Sequence, residues 1–166
     1  MIKAGIIGAT GYAGGELVRI LMGHKDVEVK WYGSRSYIDQ KYAAVYQNLF
    51  QIVEGVCKDD NMEELANQVD VIFTATPQGY CASLLKEEIL SKVKIIDLSA
   101  DFRIKDQKVY EECTRSSTNV RSFYRKRCTD CVKLTGRRSR GQEFWQIRDV
   151  IRLARFFPSI RLPEKD

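Results

Sequence analysis

The sequence predicts an α/β fold with a parallel sheet, followed by an irregular basic tail. Three observations carry this: a short apolar run that ends in closely spaced glycines, strand-like and helix-like segments that alternate after it, and an abrupt change of composition near residue 113. At 166 residues and 44% hydrophobic, the chain has the size of one ordinary globular domain. Its net charge of +5 hides a split. Residues 1–112 carry 13 Lys and Arg against 17 Asp and Glu, a net of −4, whereas residues 113–166 carry 14 against 5, a net of +9. Two units are therefore expected, a folded domain over 1–112 and a tail over 113–166 that is disordered or poorly packed.

The first strand is Ala4-Gly5-Ile6-Ile7, followed at once by Gly8-Ala9-Thr10-Gly11-Tyr12-Ala13-Gly14 and a helix that opens at Gly15-Glu16-Leu17-Val18. Leu17, Ile20 and Leu21 recur at helical spacing. A phosphate reaches a helix N-terminus only where side chains are absent, and the helix dipole then favours the anion. The spacing is G-x-x-G-x-x-G rather than G-x-G-x-x-G, so a turn made only for close packing remains the alternative.

The second strand, Val27 to Tyr32, runs into Gly33-Ser34-Arg35-Ser36. An NAD site usually has a carboxylate here, holding the ribose 2′-hydroxyl. Hydroxyls and one arginine stand there instead. A guanidinium can pair with a phosphate through two parallel N–H bonds, which points to NADP; the alternative is a solvated turn arginine.

Further strands are expected at Val69 to Ala75 and Val93 to Leu98, entered from helix-like stretches at Glu63 to Gln68 and Ala82 to Lys92, the latter with Leu84, Leu85, Ile89 and Leu90 on one side. Gln47 to Val56 reads equally as strand or loop. Strands alternating with helices give a Rossmann-like, doubly wound sheet, although only part of one. Ligands in such sheets lie beyond the strands' C-terminal ends, which singles out Thr76-Pro77-Gln78-Gly79 and Ser99-Ala100-Asp101-Phe102-Arg103. The expected dinucleotide-binding residues are Gly8, Thr10, Gly11, Tyr12, Ala13, Gly14, Ser34, Arg35, Ser36, Pro77 and Ser99.

These blocks, above all Asp97-Leu98-Ser99-Ala100-Asp101-Phe102-Arg103, resemble those of the N-acetyl-gamma-glutamyl-phosphate reductases over residues 1–112. The first block is shared with aspartate-semialdehyde dehydrogenases. The resemblance implies an NADPH-dependent enzyme of arginine biosynthesis that converts N-acetyl-gamma-glutamyl phosphate to N-acetylglutamate semialdehyde. In that family a cysteine thiolate attacks the acyl phosphate, NADPH delivers hydride and a histidine handles protons; such chemistry needs an activated thiol beside a base. The family's cysteine motif N-P-G-C-Y-P-T is absent here, and the single histidine, His24, falls at the end of the first helix. No catalytic residue is assigned, and the chain is expected to be a truncated, inactive form.

The tail explains the loss. Back-translated with permitted codons and read from the third base, Gln146 to Arg152 encodes N-P-G-C-Y-P, and Lys126 to Thr135 encodes A-V-Y-G-L-C-E-I-N. The same shift turns Arg152 to Arg161 into a helix-like apolar run. One base missing near codon 113 would produce all three, and the eleven arginines of the tail fit an accidental frame, since six codons specify arginine.

Two other readings of the tail are weaker. Arginines interleaved with Phe123, Tyr124, Phe144 and Trp145 could contact nucleic acid. Cys128 and Cys131 form a C-x-x-C pair, but zinc wants four ligands and only Cys113 is near. Neither a metal nor a nucleic-acid partner is expected. Another semialdehyde dehydrogenase, using the same nucleotide half, is the alternative within enzymes. Without a secretory signal or an apolar run near the roughly 18 residues of a membrane span, the protein reads as cytoplasmic, with free thiols and no membrane partner. A homo-oligomer is expected only where the family's second domain is present.

Overall fold

The computed structural model describes residues 1–99 and 101, together with the backbone of 127–129 and 144–146. Its strands are β1 (Ile2–Ile7), β2 (Val27–Gly33), β3 (Cys57–Lys58), β4 (Val71–Thr74), β5 (Lys94–Asp97), β6 (Arg127–Thr129) and β7 (Phe144–Gln146). They form one sheet in the order β3-β2-β1-β4-β5-β7-β6, and every pairing is parallel. The helices are α1 (Tyr12–Met22), α2 (Tyr42–Val45), α3 (Met62–Leu65), α4 (Tyr80–Leu84) and α5 (Glu87–Leu90), with a 3₁₀ turn at Gln47–Leu49.

The central strands are apolar on both sides because both faces are covered. Ala4 and Ile6 of β1, Val71 and Phe73 of β4 and Ile96 of β5 join Leu17, Val18 and Leu21 of α1 in one core. Their neighbours along the strands, Ile7, Ile72 and Ile95, join Leu65, Leu85, Ile89 and Leu90 in the other. Alternation of side chains along each strand divides the sequence between these two layers. Each fully buried Leu, Ile or Phe contributes about 1.5–3 kcal/mol by leaving water.

α1 begins at Tyr12, three residues before its predicted opening at Gly15. The glycines that look like breakers are packing positions. A Cβ on Gly14 would strike the Gly8 carbonyl oxygen and lie 2.8 Å from Ala9 Cα, and one on Gly15 would meet the Tyr46 ring. The helix expected over 82–92 is two helices, because Leu85 is extended (φ −70°, ψ 128°) and turns its buried side chain into the second core. Glu87 and Glu88 then start α5, where the helix dipole favours acids. The ambiguous stretch 47–56 is the 3₁₀ turn and a loop, leading to the short strand β3 that the sequence did not announce.

The sheet continues past β5 through two three-residue strands, β7 beside β5 and β6 beside β7. The expectation of a disordered or poorly packed tail over 113–166 otherwise lies outside the described residues. Among the described residues no helix is long and apolar enough to cross a membrane.

Candidate dinucleotide site

β1 and β4 are neighbours at the point where the chain reverses direction across the sheet: β2 and β3 lie to one side of β1, β4 and β5 to the other. In sheets of this kind the ligand crevice lies where the loops leaving these two C-terminal ends part. Gly8 forms one lip, with φ at +76°, and a Cβ on it would lie 2.5 Å from the Ala75 carbonyl oxygen on the opposite lip. Only glycine permits both the conformation and the approach.

From Gly8 the chain turns into α1. Gly11 is the N-cap residue, with no side-chain cap, and its amide bonds back to the Gly8 carbonyl at 3.1 Å. The amides of Tyr12, Ala13 and Gly14 open the helix, where no intrahelical carbonyl is available to them. No acidic side chain stands in the first turn. A Cβ on Gly11 would meet nothing nearer than 3.5 Å, so this face of the turn is open, while Gly14 is closed against the turn's own backbone. That arrangement suits an anion set on backbone N–H groups.

The other predicted residues follow the C-terminal ends of neighbouring strands. Ser34, Arg35 and Ser36 follow β2, Pro77 lies in the turn between β4 and α4, and Ser99 follows β5. Thr10 and Ser34 share a hydrogen bond between their hydroxyls at 2.7 Å, tying the glycine turn to the end of β2. Arg35, 60% exposed, lies with its Nε 3.8 Å from Oδ2 of Asp60 and its guanidinium carbon 4.5 Å from the centre of the Tyr80 ring. Burial pushes the Asp60 carboxyl above its ordinary range, while the Gly8 N–H and the Arg35 guanidinium draw it back. Ser99 is turned inward: its hydroxyl donates to Asp97 Oδ2 at 2.6 Å and its amide to Asp97 Oδ1 at 3.0 Å.

Several supporting residues escaped the sequence reading. Tyr42 Oη donates to the Ala9 carbonyl at 2.8 Å, and Tyr46 Oη approaches the carbonyls of Thr10 and Gly11 at 3.2 and 3.0 Å. Two tyrosines four residues apart thus hold the glycine turn from behind; their spacing on one helical face was the available signal. Asp101 accepts from the Gly79 amide at 2.7 Å and from the Ala82 amide at 3.4 Å, so the block after β5 caps α4. Thr74 donates to the fully buried Asp97 at 2.7 Å.

Neither described cysteine resembles an activated thiol. Cys57 and Cys81 are fully buried, and burial raises both thiols, Cys81 further because Asp97 lies nearby. His24 sits beyond the opposite end of α1 from the glycine turn, where its Nδ1 accepts from the Asp26 amide at 3.2 Å. Cys113, Cys131 and the other tail side chains lie outside the described residues, as does the side chain of Cys128. Among the described residues no group of acidic, cysteine or histidine side chains could hold a metal ion.

A parallel, doubly wound sheet with a glycine turn and an uncapped helix start at its switch point defines a dinucleotide-binding domain. The chain belongs to the semialdehyde dehydrogenase family, whose NAD binding domain matches residues 3–120. It is 73% identical over 112 residues to the N-acetyl-gamma-glutamyl-phosphate reductase of Lachnospira eligens, a match that covers 68% of this chain and 32% of the relative. The reductase of Lachnoclostridium phytofermentans is 74% identical over the same length, with the same coverage. The chain thus spans about a third of the length of these relatives in the matched region. In fold it is similar to the aspartate semialdehyde dehydrogenase of Candida albicans solved with NADP, at a TM-score of 0.51 and 19% identity, covering 64% of this chain and 32% of that one. Aspartate semialdehyde dehydrogenase II of Vibrio cholerae gives a TM-score of 0.56 at 14% identity, covering 95% of this chain and 42% of that one. The family resemblance read from the sequence motifs is the one these reductases display.

Proposed function

We propose that residues 1–112 are the NADP-binding part of an N-acetyl-gamma-glutamyl-phosphate reductase, and that this chain binds the dinucleotide without catalysing the reductase reaction. The observation that carries the proposal is the open first turn of α1 at the switch point, with Arg35 at its rim and no carboxylate ending β2. The amides of Tyr12, Ala13 and Gly14 would face the pyrophosphate, with Gly11 leaving room for it. Thr10 and Ser34 hold the turn against β2, and Arg35, flanked by Ser34 and Ser36, supplies the cation for a 2′-phosphate. Pro77 and Ser99 bound the crevice on the β4 and β5 side. The bound cofactor supplies hydride.

The reductase assignment rests on the identity to two reductases over residues that include the Asp97 to Arg103 block. The substrate, N-acetyl-gamma-glutamyl phosphate, and a homo-oligomer belong to the intact enzyme with its second domain. We assign the chain to the cytoplasm, in keeping with a soluble biosynthetic role. Residues 113–166 are the product of a shifted reading frame. Catalysis would fail because the nucleophile's motif exists only in the other frame and both described thiols are buried with raised pKa values.

Fluorescence titration of the purified chain with NADPH tests the binding half of this reading. Saturable quenching supports it, and NADPH that leaves the fluorescence unchanged rejects it. Phosphate-dependent reduction of NADP with N-acetylglutamate semialdehyde tests the other half; turnover by this chain alone would overturn the claim of inactivity. Resequencing the coding DNA across codons 105 to 166 tests the frame. An extra base near codon 113 supports the shift, whereas a third-base reading filled with stops rejects it.

A further inference from the structure

Arg35 has a partner on the far side of the crevice that no motif announced. Its guanidinium lies over the face of Tyr80, the first residue of α4, with 4.5 Å between the guanidinium carbon and the ring centre. The two residues come from opposite sides of the switch point, Arg35 from the loop after β2 and Tyr80 from the start of the helix after β4. Asp60 approaches from behind, its Oδ2 3.8 Å from Arg35 Nε and its side chain only 5% exposed.

A guanidinium has two distinct binding surfaces. Its flat face attracts an aromatic ring, and its edge carries the N–H donors that pair with phosphate oxygens. Here the face is taken by Tyr80 and the Nε side is turned toward Asp60. The terminal amino groups stay available on a side chain that is 60% exposed. An unrestrained arginine would lose rotamer freedom on pairing with a phosphate; a stacked one has already lost part of it.

We infer that Tyr80 is a specificity-determining residue: by stacking on Arg35 across the crevice it holds the guanidinium edge ready for a 2′-phosphate, and so sets the preference for NADP over NAD. The inference rests on the proposed dinucleotide reading. Tyr80 acts through Arg35, as a positioning residue, and a dinucleotide lacking the 2′-phosphate gains nothing from it.

The test is a set of fluorescence titrations of the full chain with NADPH and with NADH, for the wild type, Tyr80→Phe, Tyr80→Leu, Arg35→Leu and the Tyr80→Leu/Arg35→Leu double variant. Tyr80→Phe keeps the ring and should keep the NADPH to NADH affinity ratio. Tyr80→Leu should lower NADPH affinity by about three- to ten-fold, in line with a partly exposed cation–π contact, and leave NADH affinity unchanged. Arg35→Leu should abolish the preference, and Tyr80→Leu should add nothing in that background. Equal losses for both dinucleotides, no loss, or full additivity in the double variant would overturn the inference. Thermal melts accompany each titration; if Tyr80→Leu unfolds, Tyr80→Met replaces it with the same expectations. A wild-type chain that binds neither dinucleotide refutes the binding reading itself, and that result is visible before any substitution is made.

Discussion

Tyr42 Oη donates a 2.8 Å hydrogen bond to the carbonyl of Ala9, thirty-three residues earlier, inside the glycine turn. The phenol is fully buried, and burial raises its pKa far above the ordinary tyrosine value. It therefore stays a neutral donor. The turn that presents amides to the crevice thus has its Ala9 carbonyl satisfied from behind by the first side chain of α2.

Removing that donor isolates its contribution. Tyr42→Phe keeps the ring, which lies 4.9 Å from Tyr32 and 5.4 Å from Tyr46, but leaves a buried carbonyl without its partner. We predict a loss of about 1–3 kcal/mol of stability, the usual cost of an unpaired buried polar group. Urea unfolding of the wild type and variant, with unchanged m values, measures it.

The glycines of the turn divide into packing and access positions, and alanine substitutions distinguish them. Gly14→Ala forces a methyl against the Gly8 carbonyl and 2.8 Å from Ala9 Cα, both backbone atoms that cannot move aside. Destabilisation by about 1–3 kcal/mol or more is expected, as for other overpacked sites. Gly11→Ala meets nothing closer than 3.5 Å. Its melting temperature should stay near wild type while NADPH affinity falls, because the methyl occupies the open face of the helix start. Melting curves and NADPH titrations on both variants decide; equal behaviour would reject the division.

Asp97 gives a pH signature. Its carboxyl is fully buried, and burial raises its pKa above the ordinary 3.8, against the lowering effect of hydrogen bonds from Ser99 and Thr74, with Asp101 raising it further. An acid raised on folding binds more protons in the folded state, so stability declines as pH rises from about 4 through the folded pKa. Asp60, also raised, acts in the same direction. Asp97→Asn removes one of the two contributions. The stability of the variant relative to wild type should therefore increase with pH across that window and level off above it, as read by urea unfolding at stepped pH.

Cys57 and Cys81 should resist alkylation. Both are fully buried with thiols raised by burial, and the thiolate is the reactive form. Iodoacetamide at pH 7.5, followed by peptide mapping, should label these two at least ten-fold more slowly in the native chain than in urea, because reaction must wait for opening of the core. Labelling of Cys81 at the unfolded rate would mean that the Thr74–Asp97 network is open to solvent.

Much of the domain was legible in residue order. The apolar runs at 4–7, 69–75 and 93–98 became adjacent parallel strands because segments buried on both faces must be apolar throughout, a pattern that survives without knowledge of their partners. Gly8 and Gly14 marked the turn because positive φ at the one and close packing at both exclude a side chain, whereas Gly11 keeps the helix start open. The charge step at residue 113 belongs to the same level, since composition needs no coordinates. The tertiary structure alone decided the rest. That Tyr42 and Tyr46 brace the turn, that Asp101 caps α4 and that Tyr80 stacks on Arg35 depend on distances between segments far apart in sequence. Local spacing encodes which face a residue takes, but which distant group it meets is set only when the sheet order brings β1 between β2 and β4.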